Sequence, residues 1–377
     1  MKEMTPPWWE QILRGERQGF WADSFRSLAR LSSLGYAAGM RGREMAYGQG
    51  WLKTHRLARP TICVGNITAG GTGKTPLVMK LARDLQARGL KPAILLRGYK
   101  RVRHTPAPVL VQDAAGIHAT AEDAGDEAME LALRLPGVLI GVGANRYAVG
   151  KFLLKHGDID CFLMDDGFQH HALARDINIV TLDVTDPWGG GQLLPAGLLR
   201  ERPDALRRAD AIVLTRTALV GPDRLNMLRI QVSQKLAKGS YLLESVHEPE
   251  ALRSLATQEL LPLKMIDGKA ILVASGIGNP RAFVATLHHL GAQVEHQYFA
   301  ADHSHDAVAA WRWIERHWQP GMPVLMTEKD AMRWGRQRRS SKAFAQTYAL
   351  RMNFIVNRGV EQWEKLMDVV QTLCHDR

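Results

Sequence analysis

Residues 65–76 carry the sequence GNITAGGTGKTP, between a short apolar run at 61–64 and a segment with Leu77, Leu81 and Leu85 at helical spacing. Glycines at such a turn let backbone N–H groups approach an anion without a Cβ clash, and the helix that follows adds its positive end. A strand, a glycine-rich turn ending in Gly-Lys-Thr and a helix are typical of a phosphate-binding P-loop. The segment therefore predicts an α/β fold built around a nucleotide site.

Particular side chains of this segment have expected roles. Lys74 can reach the β- and γ-phosphates of ATP, and the Thr75 hydroxyl can bind Mg²⁺. The strict pattern has glycine where this chain has Thr68, but the Gly-Gly-x-Gly-Lys-Thr core is intact. A flexible glycine-rich turn is the alternative, and the strand-to-helix context argues against it. The residues expected to contact the nucleotide are Thr68, Gly70, Gly71, Thr72, Gly73, Lys74 and Thr75.

An acidic pair follows a second apolar run. Asp165 and Asp166 come directly after residues 161–164, and a glycine follows them. P-loop enzymes hold their metal with a carboxylate at the end of a neighbouring strand, and ligands of open α/β sheets bind at that edge. An Asp-Gly turn without a metal is the alternative. Beside a P-loop, the pair is predicted to bind Mg²⁺, and which of the two is the main ligand stays open.

Short apolar runs alternate with helical stretches along most of the chain, which predicts a mainly parallel sheet covered by helices on both faces. A second set of strands and helices begins near residue 225 and indicates a smaller C-terminal α/β lobe. The expected organisation is an N-terminal amphipathic helical segment at 1–50, a P-loop core at 51–220 and the smaller lobe at 221–377.

The N-terminal segment is amphipathic and basic. Residues 7–34 have helical periodicity, with aromatic and aliphatic residues from Trp8 to Leu31 interleaved with arginines. Such a pattern is typical of a helix lying in a membrane interface, whereas packing on the protein's own core is the common alternative. The sequence has no evident signal peptide and no apolar run long enough to span a bilayer. We therefore expect a protein that is soluble or lies on a surface.

The net charge of +11 predicts an anionic partner: nucleic acid, acidic lipid or a phosphorylated ligand. The first sixty residues carry ten Lys and Arg against five Asp and Glu, so much of the excess is beside the amphipathic segment. The three cysteines, Cys63, Cys161 and Cys374, show no paired spacing, which argues against a disulfide framework or a zinc site.

Four further residues are candidates for catalysis or phosphate binding. Asp126 precedes an apolar-periodic helix, so it is either a helix N-cap or a catalytic carboxylate. Arg146 follows a strand-like run and either meets a phosphate or is solvated. His170 follows the acidic pair and His303 follows a later run, and a neutral imidazole near a carboxylate can tune a general base. The spacing does not show that Asp126 and His303 meet.

Several segments, in one order along the chain, resemble the tetraacyldisaccharide 4′-kinases of lipid A synthesis. The most specific is Asp-Asp-Gly-Phe-Gln-His at 165–170. The others are the P-loop at 65–76, Arg97-Gly98-Tyr99 with Arg101, Gly125-Asp126-Glu127, Asn145-Arg146, residues 194–197 with Leu199-Arg200-Glu201, Asp302-His303, and residues 327–331. Leu96 and Leu198 depart from the residues usual in the family, each beside intact charged residues.

The resemblance implies a reaction and a location. The family transfers the γ-phosphoryl group of ATP, with Mg²⁺, to the 4′-hydroxyl of a tetraacylated glucosamine disaccharide 1-phosphate, giving lipid IVA. It implies a peripheral enzyme on the cytoplasmic face of the bacterial inner membrane, with a lipid disaccharide substrate and contact with an anionic membrane surface. The membrane interpretation of residues 7–34 is then favoured, and neither a nucleic-acid partner nor an oligomer is expected.

The resemblance also implies roles for individual residues. Asp126 is expected to act as the base on the sugar hydroxyl, with His303 paired to it. Arg146 and His170 are expected to handle the nucleotide or its phosphates. The expected metal ligands are Thr75, Glu127, Asp165 and Asp166.

Two other classes of protein fit parts of the sequence. A P-loop GTPase needs an Asn/Thr-Lys-x-Asp motif, and in Thr327-Glu328-Lys329-Asp330 the lysine is adjacent to the aspartate, which argues against this class. A nucleic-acid-binding protein would explain the charge, but no recognised nucleic-acid motif is present and the basic excess lies beside an aromatic amphipathic segment.

Overall fold

The computed structural model describes residues 12, 18–98, 101–103, 105–277, 280–300, 306–335 and 341–376. The helices are α1 (Phe20–Gly48), α2 (Lys74–Ala87), α3 (Ala121–Ala124), α4 (Asp126–Arg134), α5 (Arg146–Leu153), α6 (Pro222–Ser233), α7 (Pro280–His289), α8 (Ala307–His317), α9 (Glu328–Trp334) and α10 (Val360–His375). The strands are β1 (Thr61–Asn66), β2 (Pro92–Leu96), β3 (Val109–Asp113), β4 (Gly116–Ile117), β5 (Leu139–Val142), β6 (Cys161–Asp165), β7 (Ile177–Asp183), β8 (Ala211–Thr215), β9 (Tyr241–Ser254), β10 (Leu260–Leu261), β11 (Ala270–Ser275), β12 (Gln293–Phe299), β13 (Val324–Thr327) and β14 (Thr347–Arg358).

The larger of two compact units comprises Thr5–Val246 and Phe354–Arg377. Its strands lie in the order β8-β7-β1-β6-β2-β5-β3-β4. The strands from β8 to β5 are parallel, and β3 runs antiparallel to both β5 and β4 at the edge. The predicted α/β fold with a mainly parallel sheet is therefore confirmed.

Burial follows from this arrangement, because helices on both faces of a parallel sheet remove its central strands from water. Every residue of β1, β2, β6 and β8 is buried. Helix α10 returns to this unit and packs on α2, where Arg88 pairs with Glu364 and Asp368, and the Trp363 indole donates to Asp84 at 2.7 Å.

The smaller unit contains His247–Asn353. Its strands lie in the order β12-β11-β13-β14 and are parallel, while β10 pairs antiparallel with the end of β9. Trp311 and Trp334 are fully buried in its core, and the Trp311 indole donates to the Trp334 carbonyl at 2.8 Å. The expected smaller α/β lobe is thus present. The chain passes from the larger to the smaller compact unit after residue 246 and returns after residue 353. The sequence suggested a boundary after residue 220, and the domain boundaries stay a prediction.

Helix α1 continues well past the predicted end at residue 34, to Gly48. One face is docked on the larger unit, with Ala22, Ala29 and Ser33 buried. The opposite face exposes Phe20, Trp21, Leu28, Leu31 and Leu34. No helix within the described ranges is long and apolar enough to cross a bilayer. Residues 7–11 and 13–17, which belong to the predicted amphipathic segment, lie outside the described residues.

Candidate active site

The glycine-rich loop joins the buried strand β1 to the first turn of α2. Gly65, at the end of β1, has to be glycine because a Cβ there would lie 2.5 Å from the Cβ of Phe168. Gly73 precedes α2 with a φ of 87°, in the left-handed region that favours glycine. Since α2 begins at Lys74, the free N–H groups of its first turn face this loop. The geometry is that of an anion-binding site.

The Lys74 side chain lies across the loop. Its Nζ donates to the Gly70 carbonyl at 3.3 Å and lies 3.6 Å from Asp166 Oδ1. Only 11% of the side chain is exposed. A cation held at this point, above the N-terminus of α2, can contact a terminal phosphate group of a bound nucleotide.

Threonines at the ends of neighbouring strands fix the loop from below. Asn66 donates to the Thr72 hydroxyl at 2.9 Å, and the Thr72 and Thr181 hydroxyls lie 2.7 Å apart. Thr181 also donates to the Gly65 carbonyl, and Thr215 donates to the Thr72 carbonyl at 2.9 Å. Each of these groups is buried, so the network holds the Thr72 hydroxyl and carbonyl inside the protein and fixes this part of the loop, while the contact of Thr72 with the nucleotide stays a prediction.

Asp165 ends β6 as a buried carboxylate with one unused oxygen. Its Oδ2 accepts from the Thr75 hydroxyl at 3.1 Å, whereas Oδ1 is buried and has no hydrogen-bond partner. Burial raises the pKa of Asp165 to about 7, and the charge of Glu127 adds to the rise, against the opposing effect of Lys74. An orphaned buried carboxylate oxygen beside a threonine hydroxyl fits a divalent cation.

The neighbouring Asp166 is in a different electrostatic state. Its φ of 52° is in the left-handed region. Arg200 donates from one nitrogen to both of its oxygens, at 2.7 and 2.9 Å. Burial favours the neutral acid, but Lys74 and Arg200 together outweigh it and lower the pKa of Asp166. At neutral pH, Asp166 is therefore a carboxylate held in a cationic clamp.

A group of cations surrounds the acidic pair. Arg146, at the start of α5, is buried, and its Nε has no hydrogen-bond partner. Burial and repulsion from Arg97 lower the pKa of Arg146 to about 10. Burial and the nearby arginines, Arg146 first among them, lower the pKa of His170 to about 4. His170 is thus a neutral imidazole at physiological pH, among arginines whose charge favours an anion.

Asp126 is the first residue of α4, and Gly125 occupies the N-cap position without a capping side chain. The N-cap interpretation of Asp126 therefore does not fit the structure. Glu127 follows it and is close enough to raise the pKa of Asp165 electrostatically. His303 and Asp302 lie outside the described residues, so the pairing of His303 with Asp126 stays a prediction.

Within the described part of the chain, no group of three or more His, Cys, Asp or Glu side chains is arranged to hold a metal by itself. A threonine hydroxyl beside a carboxylate suits Mg²⁺, because Mg²⁺ commonly keeps water and phosphate ligands and takes only one or two carboxylates. Thr75 and Asp165 meet directly, and Asp166 and Glu127 are their electrostatic neighbours.

Sequence reasoning missed a second loop that contributes to the site. Arg200 clamps Asp166, and the next residue, Glu201, accepts from Gln169 at 2.9 Å. The Gln169 amide also donates to the Asn66 carbonyl at the end of β1. The Leu-Arg-Glu segment was part of the family resemblance, but nothing in its spacing indicated contact with the acidic pair.

Comparisons with known proteins agree on one family. Residues 25–371 match the family described as tetraacyldisaccharide-1-P 4′-kinase. The chain is 38% identical to the tetraacyldisaccharide 4′-kinase of Anaeromyxobacter dehalogenans strain 2CP-C, over 79% of this chain and 78% of that protein. It is 36% identical to the Geobacter metallireducens enzyme of the same name, over 82% and 88%. The crystal structure of LpxK from Aquifex aeolicus in complex with ATP is similar, with a TM-score of 0.74, 30% identity, and coverage of 92% of this chain and 99% of that one.

Proposed function

The chain belongs to the tetraacyldisaccharide-1-P 4′-kinase family, and from this premise we propose how its residues carry out the reaction. It is an ATP-dependent kinase that transfers the γ-phosphoryl group to the 4′-hydroxyl of a tetraacylated glucosamine disaccharide 1-phosphate. The products are ADP and the 4′-phosphorylated lipid A precursor, lipid IVA. The observation that carries the residue assignment is that, beside the glycine-rich loop, Lys74 lies against Asp166 and the Thr75 hydroxyl donates to Asp165.

The loop and the start of α2 bind the nucleotide phosphates in this proposal. Backbone N–H groups between Thr68 and Gly73, together with the N-terminus of α2, neutralise the β- and γ-phosphates. The Lys74 ammonium group stabilises the negative charge that develops on the transferred phosphoryl group. Its position beside Asp166 keeps Nζ oriented. Arg146 and His170 face the same region from α5 and the loop after β6 and bind phosphate oxygens.

Thr75 and Asp165 would hold Mg²⁺, with Asp166 and Glu127 supplying further negative charge around it. The orphaned Oδ1 of Asp165 and its raised pKa support this assignment, because a nearby cation would compensate a carboxylate that is otherwise costly to ionise. When bound, the metal ion neutralises charge on the phosphates during transfer.

Asp126 is proposed as the general base. A sugar hydroxyl becomes an effective nucleophile when its proton passes to a positioned carboxylate as the new bond to phosphorus forms. Asp126 is half-buried at the start of α4, adjacent in sequence to Glu127, which acts on Asp165. His303 is proposed to tune Asp126.

The acceptor is a membrane lipid, so the enzyme has to work at a lipid surface. The face of α1 that points away from the larger unit is apolar, and Trp21 and Leu34 on it are 82% and 68% exposed. An exposed apolar helix face in a basic chain suits an anionic bilayer. We propose a peripheral protein on the cytoplasmic face of the inner membrane, without a nucleic-acid partner and without an oligomeric requirement.

The reaction is tested with γ-labelled ATP and two disaccharide acceptors, one with a free 4′-hydroxyl and one lacking it. Label should enter only the first. Lys74→Ala should lower kcat by about 10²-fold or more, as for loss of other preorganised donors. Lys91→Ala, at an exposed pair with Asp158, is the matched control and should retain wild-type turnover. Near-normal turnover of Lys74→Ala would refute the phosphate-site assignment.

A further inference from the structure

Residues 193–201 form a loop, here called the strap, that pairs with the backbone of the phosphate loop. The Ala69 N–H donates to the Leu198 carbonyl at 2.6 Å, and the Arg200 N–H donates to the Ile67 carbonyl at 2.7 Å. These two bonds join the strap to the chain just before the glycines that surround the phosphates. A shift of the strap therefore shifts the start of the phosphate loop.

The other side of the strap is held by α1. Ser33 Oγ, buried in this contact, lies 2.9 Å from the Leu193 carbonyl oxygen and accepts from the Ala196 N–H at 3.1 Å. One turn further along α1, the Tyr36 hydroxyl donates to the Arg200 carbonyl at 3.1 Å. Both side chains are on the docked face of α1, opposite the exposed apolar residues.

The strap also reaches the acidic pair through Arg200. Its guanidinium binds both oxygens of Asp166, and Lys74 lies 3.6 Å from the same carboxylate. Asp166 has a left-handed backbone, a conformation that surrounding contacts have to maintain. The backbone of Arg200 is thus fixed by α1 and by Ile67, while its side chain fixes Asp166.

We propose that Ser33 and Tyr36 are positioning residues for phosphoryl transfer: through the strap, α1 sets the placement of Arg200 and Asp166 beside Lys74. The inference rests on the proposed function of the site and adds a task for α1 beyond contact with lipid. Because its two faces belong to one rigid helix, binding of the apolar face to a bilayer stabilises the strap and the phosphate site together.

The test uses Ser33→Ala and Tyr36→Phe in the full chain, singly and together. Loss of one neutral hydrogen bond corresponds to about 2–10-fold, so the double variant should lower kcat/KM for ATP by about 4–100-fold. Partitioning onto vesicles of anionic phospholipid should not change. Ser27→Ala is the matched control, since the Ser27 hydroxyl is exposed and donates within α1, to the Asp23 carbonyl at 2.9 Å. It should retain wild-type kinetics.

A third substitution tests the route through Arg200. If the effect of Tyr36 passes through Arg200, then Tyr36→Phe should cost little more activity in an Arg200→Lys background than Arg200→Lys costs alone. Full additivity overturns the proposal. A wild-type kcat/KM in the folded Ser33→Ala/Tyr36→Phe variant also overturns the proposal. A loss of activity that only parallels a loss of vesicle binding overturns it too, because α1 would then serve only to bind the membrane.

Hydrogen exchange on the unaltered protein keeps the proposal testable if a variant fails to fold. Binding of a non-hydrolysable ATP analogue should slow amide exchange in the strap and in α1 near Ser33 and Tyr36. Unchanged exchange there, with protection in the glycine-rich loop, overturns the coupling and leaves the proposed function standing. Failure of the proposed function would show itself differently, as no phosphoryl transfer by the unaltered chain.

Discussion

The adjacent residues Asp165 and Asp166 have pKa values shifted in opposite directions, so isosteric substitution should change stability with opposite signs. Burial raises the pKa of Asp165 from 3.8 to about 7. Lys74 and Arg200 overcome the effect of burial and lower the pKa of Asp166. Asparagine preserves the size of each side chain, and it tolerates the left-handed backbone at position 166. Asp165→Asn and Asp166→Asn are therefore a matched pair.

The sign for Asp165 follows from proton binding. Between pH 3.8 and about 7 the folded chain holds a proton on Asp165 that the unfolded chain has released, so stability falls as pH rises through this window. A difference of about three pKa units corresponds to about 4 kcal/mol. Relaxation around the charge reduces such penalties, and we expect Asp165→Asn to stabilise the metal-free protein by about 2–4 kcal/mol at pH 8. The gain should vanish near pH 4.

For Asp166 the sign is reversed. Its ionised form is favoured in the folded state, so its contribution is present above the unfolded pKa and is lost as pH falls through the lower folded pKa. Asp166→Asn should destabilise the protein at pH 8, because it leaves the Arg200 guanidinium without its carboxylate. The difference from wild type should shrink in acid.

Thermal unfolding of the two variants and wild type, with EDTA and at pH values from 3 to 8, measures both effects. The stabilisation by Asp165→Asn corresponds to a rise of about 4–8 °C in Tm at pH 8. Adding Mg²⁺ with nucleotide should raise the Tm of wild type more than that of Asp165→Asn, since only the carboxylate gains a compensating charge. Equal destabilisation by both substitutions at every pH would refute the conclusion that burial destabilises the ionised form of Asp165.

The other predictions concern the base and the lipid surface. Asp126→Asn should lower kcat by about 10²–10⁴-fold with little change in ATP affinity; a lower Tm with intact kcat would instead indicate a structural role at the start of α4. Combining it with His303→Ala should give much less than additive losses, and full additivity would contradict a functional pair. Trp21→Glu with Leu31→Glu, on the exposed face of α1, should release the protein from anionic vesicles while the circular dichroism spectrum stays native. Unchanged partitioning would show that this face does not bind lipid.

The features that the sequence predicted correctly are local ones. The glycine-rich turn between an apolar run and a helix determined β1, the loop and α2, because each element depends on neighbours within a few residues. The position of Asp165 at the end of β6 followed from the apolar run before it. The alternation of strands and helices gave the parallel sheet, since parallel strands need crossover connections. Family membership followed from short motifs in a fixed order.

The tertiary structure decided what depends on residues far apart in the chain. The clamp on Asp166 comes from Arg200, 34 residues later, and the contacts that dock α1 join Ser33 and Tyr36 to residues about 160 positions away. Apolar periodicity predicted the end of α1 at residue 34, whereas its second half makes polar contacts through Tyr36 and Glu44, which leave no such pattern. Hydrogen bonds between distant segments depend on how the sheet brings strand ends and loops together, so no local pattern of residue types encodes them.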